Sequence, residues 1–263
     1  MKILVVGDIV GRPGRAIMDR EIIRLRDEYK LDLVIANCEN AAAGAGITRS
    51  VADELFRAGV DVLTSGNHVW KLKEAYELLK LDPRVIRPAN YPNGAPGSGS
   101  TVVETLGGQK VGVLNVMGRV FMEPLDCPFR TAERELERLR LVTPVIVVDM
   151  HAEATSEKVA MGWFLDGKVS VVFGTHTHIP TADERVLPKG TAFITDIGMT
   201  GPYDSVIGRV TEDVLHRFLT QMPRRMEVAE GDVRLCGAMV DVDRITGKAL
   251  RIERLQWSLE EGR

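Results

Sequence analysis

Apolar, β-branched runs recur along the chain: KILVV before Asp8, DLVIA before Asn37, VDVL before Asn67, PVIVV before Asp149 and VSVVF before Gly174. Short apolar, β-branched runs of this kind read as strands. Between them the period changes. After a turn from Gly11 to Gly14 that contains Pro13, Ile17, Ile22, Ile23 and Leu25 give the stretch Arg15 to Tyr29 a helix-like pattern. A second strand ends near Ala36, a Gly/Ala-rich loop covers Ala41 to Gly46, and Ser50 is placed to cap a helix through Ala58. A strand at Val60 to Thr64 and a helix from Lys71 to Leu81 complete a βαβαβα alternation, the signature of a parallel sheet.

Pro88 to Ser100 is rich in Pro, Gly, Asn and Ser and reads as a long surface loop. Two alternating runs, Ser100 to Thr105 and Lys110 to Val116, flank Gly107-Gly108 and predict a hairpin. A helix over Thr131 to Leu141 leads to a strand at Val145 to Val148, and a further helix fills Ser156 to Leu165. The last third returns to strands at Val169 to Phe173, Ala192 to Thr195, Val233 to Val242 and Ala249 to Gln256, with one helix around Glu212 to Leu219. The expectation is an α/β protein with two packed sheets and helices outside. No repeat, low-complexity tract or linker divides residues 1–263, so a single domain is expected.

Composition narrows the function classes. With 34 basic and 37 acidic residues the net charge is −3, which gives no general electrostatic reason to bind DNA or an anionic membrane. Three cysteines, Cys38, Cys127 and Cys236, show no CxxC spacing, so neither a disulfide framework nor a zinc knuckle is indicated. The first residues, MKILVVGD, start a strand and lack a basic region followed by an apolar core and cleavage site. No apolar run approaches the ~20 residues that span a bilayer. The expected setting is the cytoplasm.

The residues just past each run carry the chemistry. The strand ends lead into Gly-Asp8, Asn37-Cys-Glu39-Asn40, Gly66-Asn67-His68, Asp149-Met-His151 and Gly174-Thr-His176-Thr-His178, a set that holds four of the five histidines. Ligands of open α/β sheets bind outside the carboxyl ends of the strands, so these groups are expected to share one crevice. Asp8 and Glu39 supply carboxylates, Asn40 and Asn67 amide oxygens, and His151, His176 and His178 imidazole nitrogens. Mixed N/O ligation suits iron, manganese, zinc or nickel, and argues against calcium or a thiolate-bound metal. Two such ions, roughly 3.5 to 4 Å apart, make a nucleophile of a shared hydroxide at neutral pH. His68, next to a ligand, is placed to protonate the leaving alkoxide. His176 and His178 at i and i+2 share a side of a strand, or reach both ions from a tight loop. Blander roles compete at individual positions: Asp8 as a helix cap, Asn40 and Asn67 as turn residues, Cys38 as a small buried residue, His216 as helix packing.

Taken together, GD at 7 to 8, GNH at 66 to 68, GTHTH at 174 to 178 and the lone His151 after a strand resemble the ordered signature of the calcineurin-like metallophosphoesterase superfamily. The finer motifs GDIVGRPGR, NCEN, DMHAEATSEK and GTHTHIPTAD are similar to its bacterial YmdB-type branch over roughly residues 1 to 210. The resemblance implies a four-layer α/β/β/α sandwich of two packed mixed sheets. It also implies two transition-metal ions (Fe, Mn or Zn) and hydrolysis of a phosphodiester, with cyclic nucleotides as the substrate class. Carried over by position, Asp8, Glu39 and His178 bind the first metal with Asn40 close to it. Glu39 bridges, Asn67, His151 and His176 complete the second metal, and His68 is the general acid. Val10 stands where the broader superfamily has a histidine, Glu39 where it has an aspartate, and Val69 where an acid follows GNH. The YmdB-type branch shares these departures, and the first metal gains oxygen character.

A phosphomonoesterase on the same site, or a nucleotide-binding regulatory protein without turnover, are the alternatives. A dinucleotide fold is disfavoured because Asp8 and Ile9 stand where the fingerprint needs glycine backbone, and no GK[ST] is present. Arg12, Arg119 and Arg130 lie on Gly/Pro-rich loops as candidate phosphate contacts. The loop Val116 to Phe129, with Met117, Phe121, Met122 and Phe129, is a candidate apolar wall for a base or a subunit contact in a homo-oligomer.

Overall fold

In the computed structural model, which describes residues 1–258, the first three buried runs form the parallel centre of one sheet. Strand β1 (Lys2–Val6) pairs with β3 (Leu33–Asn37), and β3 with β4 (Val62–Thr64). On its other side β1 runs antiparallel to β12 (Val233–Val242), which also pairs along its length with β13 (Ala249–Ser258). The start of β12 meets β11 (Met199–Pro202), which lies parallel to the two-residue β2 (Asp8–Ile9). The second sheet opens with the predicted hairpin, β5 (Ser100–Glu104) and β6 (Lys110–Met117), and continues in parallel through β7 (Ile146–His151), β8 (Val171–Thr175) and β10 (Ala192–Ile194). An antiparallel β9 (Arg185–Val186) closes its edge. Both sheets are therefore mixed.

Six helices accompany them among the described residues: α1 (Gly11–Tyr29), α2 (Arg49–Arg57), α3 (Glu74–Leu81), α4 (Pro128–Leu139), α5 (Thr155–Leu165) and α6 (Thr211–Thr220). Besides shifts of up to three residues at the ends of α3 and α4, two depart from the sequence expectation for local reasons. The segment Gly11 to Gly14 is the first turn of α1 rather than a separate turn, because a first-turn Pro13 gives up no intrahelical bond. Helix α2 is capped by Thr48, whose hydroxyl accepts from the Val51 N–H at 3.3 Å, and not by Ser50. Strands β7 and β8 run further than expected, so His151 and Thr175 are strand residues.

Alternation along the strands sorts their side chains into three apolar clusters. Ile3, Val5 and Ile35 of the first sheet pack with Val113, Val147, Val171 and Phe173 of the second. The opposite neighbours, Leu4, Val6 and Val34, pack with Ile17, Ile22 and Leu25 of α1, Leu55 of α2 and Leu78 of α3. Leu114, Ile146, Val148 and Val172 pack with Leu136 of α4 and Met161 and Leu165 of α5. Strands covered on both faces explain the near-continuous apolar runs. Among the described residues no helix is long and apolar enough to cross a membrane.

Ile3 is fully buried between the sheets at the end of β1 away from Asp8. Truncation by Ile3→Ala is expected to lower the unfolding free energy by about 2–5 kcal/mol, read from urea denaturation.

Candidate metal centre

The carboxyl ends of β3, β4, β7 and β8 meet around the buried carboxylate of Asp149. It accepts from Asn37 Nδ2 at 3.1 Å, from Thr64 Oγ1 at 2.5 Å and from Thr175 Oγ1 at 2.7 Å. Burial pushes this carboxyl up to about 6, against the pull of His151, Thr64 and Thr175. Because Thr175 spends its proton on Asp149, its oxygen accepts from His151 Nδ1–H at 2.8 Å. That fixes the His151 tautomer and leaves Nε2 as the outward lone pair in the neutral ring.

The other two predicted ligand imidazoles are anchored in the same way. His178 Nδ1 lies 2.9 Å from the Ile207 carbonyl, which can only accept, so Nδ1 carries the proton and Nε2 the lone pair in the neutral ring. His176 Nε2 meets the Glu153 carboxylate at 3.2 Å, leaving Nδ1 to point inward. Burial and the neighbouring His151 hold the His176 imidazole down to about 3. Both His176 (φ 94°) and His178 (φ 65°) adopt left-handed backbone, which stores about 1–3 kcal/mol each. Gly174 precedes them because a Cβ there would lie 1.7 Å from the Thr195 carbonyl oxygen.

The inward atoms converge. His151 Nε2 is 3.2 Å from Glu39 Oε2, 3.0 Å from Asn67 Oδ1 and 3.1 Å from His176 Nδ1. With metal–ligand bonds of roughly 2.1 Å, donors at octahedral to tetrahedral angles sit about 3.0–3.4 Å apart, so these spacings match the edges of one coordination shell. Facing lone pairs and a carboxylate repel unless a cation or a proton joins them. In the bare cluster a proton does so: burial opposes charge on His151, but Glu39 and Asp8 outweigh it and push the imidazole up to about 9. Burial also opposes the Glu39 charge, yet His151, His68 and His176 hold that carboxyl below its usual range. Glu39, His151 and His176 thus form a group fitted to a metal ion.

Asp8 lies beside this group. Its Oδ2 accepts from the His176 N–H at 3.0 Å, whereas the buried Oδ1 has no hydrogen-bond partner and sits 3.9 Å from His178 Nε2. Burial raises the Asp8 carboxyl, countered by His178 and His151. A buried carboxylate oxygen without a donor is costly in a protein and suited to a cation. Asn40 turns its amide nitrogen to Glu39 Oε1 and to His178 Nε2, each at 3.2 Å, and its oxygen accepts from His68 Nδ1–H at 2.7 Å. His68 is partly exposed, its backbone N–H donates to Glu39 Oε2 at 3.2 Å, and its Nε2 faces away from the Asn40 bond. The eight predicted site residues are therefore neighbours.

Val10 and Val69, which stand at polar positions of the broader superfamily, are both buried, Val69 within the apolar cluster between the first sheet and its helices. Cys38 is fully buried, and burial pushes its thiol up, which leaves it unreactive. Arg12, Arg119 and Arg130 are exposed, but Arg12 and Arg130 lie in the first turns of α1 and α4 and not on loops, because Pro13 and Pro128 suit the opening turns of those helices. Sequence reasoning left out Thr175, Glu153 and Ile207, which aim the imidazoles, and the role of Asp149. The i, i+2 spacing of Asp149 and His151 on one strand was the available signal.

A two-sheet α/β protein with a buried oxygen- and imidazole-rich cluster fitted to metal is the class that this fold and site define. The family model described as YmdB-like protein matches residues 4–255. The chain belongs to the YmdB-like family. It is 48% identical over 255 residues to the 2′,3′-cyclic-nucleotide 2′-phosphodiesterase of Bacillus subtilis, covering 97% of this chain and 96% of that one. Its fold is similar to the crystal structure of a hypothetical protein from Thermus thermophilus, with TM-score 0.92, 44% identity and coverage of 98% and 99% of the two chains. It is also similar to the crystal structure of a novel phosphatase from Mycoplasma pneumoniae, with TM-score 0.91, 34% identity and coverage of 98% and 93%.

Gly66 tests the cluster sterically. A Cβ there would lie 2.1 Å from His151 Nε2 and 2.3 Å from Glu39 Oε2. Gly66→Ala is expected to leave the far-UV circular dichroism unchanged while metal per chain, measured by elemental analysis, falls well below the parent's.

Proposed function

We propose that the chain is a dinuclear metal-dependent phosphodiesterase acting on cyclic nucleotides, built as one metallophosphoesterase domain over residues 1–263. The observation that carries this reading is the convergence of Glu39, Asn67, His151 and His176 donor atoms beside the unpartnered Asp8 Oδ1. The three apolar clusters support a four-layer α/β/β/α sandwich. The Bacillus subtilis relative, named for 2′,3′-cyclic-nucleotide 2′-phosphodiesterase activity, supports the substrate class.

Glu39 lies between the two sets of donors: His151 touches Oε2, while Asn40 and His68 approach Oε1. It would bridge one ion held with Asn67, His151 and His176 and another held with Asp8 and His178, with Asn40 close to the latter. Oxygen and imidazole donors suit iron, manganese or zinc. When bound, such a pair supplies Lewis acidity, activating water for in-line attack and neutralising phosphoryl charge. The protein's own contribution is orientation. Thr175, Glu153 and the Ile207 carbonyl fix the rings before substrate arrives, and the Asn40 oxygen holds His68 Nδ1 so that Nε2 delivers a proton to the departing ribose oxygen. Burial lowers the His68 pKa more than Glu39 raises it, which makes the ring a ready proton donor once charged. The substrate is then a small diester, in keeping with a cytoplasmic setting and with no role for DNA or membrane.

The description of the Mycoplasma pneumoniae protein as a phosphatase favours a second reading, monoester hydrolysis at the same centre. Turnover of a 2′,3′-cyclic nucleotide against an aryl phosphate monoester, each with Mn²⁺ and after chelation, separates the two. Metal-dependent loss of the cyclic nucleotide is expected. Absence of diester cleavage under every metal tested would defeat the phosphodiesterase reading.

Roles within the site separate by substitution. Asp8→Ala and Glu39→Ala are expected to lower metal content. His68→Asn should retain metal and lose about 10²–10⁴-fold in kcat on the cyclic nucleotide. It should lose far less on a bis-aryl phosphodiester, whose acidic leaving group needs no proton. Equal losses on both substrates would remove the general-acid role.

A further inference from the structure

Beneath the paired histidines lies a buried ion pair that the chemistry above does not use. Lys158 of α5 and Asp196, after β10, are each about 1% exposed, and Lys158 Nζ donates to Asp196 Oδ2 at 2.6 Å. The same carboxylate oxygen accepts from the Thr177 backbone N–H at 3.3 Å and from its hydroxyl at 2.6 Å. Lys158 Nζ also donates to that hydroxyl at 3.1 Å, and Asp196 Oδ1 accepts from the Gly198 N–H at 2.8 Å. Thr177 is the residue between His176 and His178, and both neighbours are left-handed.

We propose that Lys158, Asp196 and Thr177 form a positioning unit that holds the His176–His178 turn in its left-handed form and so presets both imidazoles for metal. The inference rests on the metal site proposed above. Two left-handed non-glycine residues in a three-residue turn persist only where surrounding bonds overdetermine them. Here three charge-assisted bonds end on one central residue, and such bonds are shorter and more directional than neutral ones. Ile207 anchors His178 and Glu153 anchors His176 through their rings, Asp8 holds the His176 N–H, and Thr177 fixes the backbone between the two histidines. If that backbone relaxes to ordinary φ values, the two rings no longer project toward Glu39 and Asp8 together. Gly174 makes room for this arrangement, since a Cβ there would also lie 2.9 Å from Lys158 Cδ.

The test is Mn²⁺ binding to the chelated full-length chain by titration calorimetry, with melting temperature measured in parallel. Thr177→Val removes the hydroxyl without changing side-chain volume, and Lys158→Met with Asp196→Asn removes both buried charges together. Each is expected to weaken Mn²⁺ binding about 10–100-fold, the range for groups that orient metal ligands. Thr177→Ser, which restores the hydroxyl, should bind like the parent. The melting temperature of Thr177→Val should stay close to the parent's, which separates loss of preorganisation from loss of folding. Parent-like Mn²⁺ affinity in Thr177→Val overturns the proposal, whatever the double variant does to stability. A parent chain that takes up no Mn²⁺ overturns the metal reading itself, and this inference with it.

Discussion

Asp149 is the constraint on which the site depends. It sits on β7 of the second sheet, yet two of its three donors, Asn37 and Thr64, end strands of the first. The interface between the sheets is otherwise made of aliphatic side chains and Phe173, which give attraction without direction. A buried carboxylate with three donors supplies the direction. It is stabilised only when all of its partners arrive together, so it sets the relative placement of the strand ends as well as joining them. Asn115 of β6 extends the same link, its Oδ1 accepting from Ser65 N–H at 3.3 Å. Glu39 follows β3 and His151 ends β7, so their 3.2 Å approach follows from how Asp149 holds those strands.

Orientation is then transmitted outward one bond at a time. Asp149 takes the Thr175 proton, Thr175 takes the His151 Nδ1 proton, and His151 is left with a lone pair facing Glu39. His176 and His178 reach the same outcome through different partners, an exposed carboxylate and a main-chain carbonyl. Three independent anchors on the outer nitrogens give one result, which is that the inner nitrogens face the carboxylates and amides of the cluster. The strain in the GTHTH turn and the crowding at Gly66 and Gly174 fall at the same place, where local comfort is given up for geometry.

Much of this was legible in the chain because it is local. Each donor follows an apolar run by a residue or two, and strand ends in α/β folds are where ligands gather. The hairpin at Gly107-Gly108 and the helix periods carried their own short-range signals. The hidden part depends on distant pairing. The two-residue β2 exists only because β11, from the last third of the chain, lies beside it, and neither run has a strand pattern of its own. The insertion of β12 between β1 and β13 has no local signature either. Thr64, Thr175 and Asn37 look like ordinary strand-end residues until a carboxylate from the other sheet reaches them, and Lys158 reads as the polar face of a helix although it is buried. Sequence period reports which face is apolar; it does not report which polar residue has a buried partner waiting.

The charge distribution around the centre bears on what it accepts. The chain is net negative, and Arg12, Arg119 and Arg130 are exposed, so the positive field felt at the site comes from other groups. Arg209 is one of them. Its guanidinium is half-buried and bonded to the carbonyls of Gly44 and Met226, with no carboxylate ion-paired to it among the described residues. Gly44 belongs to the loop after Asn40, and Ile207 is two residues before Arg209, so this cation joins the segments flanking both Asn40 and His178. Its field, like that of Lys71, is felt at His68. A cation whose field reaches the site favours a substrate that brings negative charge with it. A phosphodiester does so, and each partial charge that moves onto its leaving oxygen is met by a field already present. Its bonds to the Gly44 and Met226 carbonyls fix the Arg209 guanidinium through neutral acceptors, so its position does not depend on an ion pair.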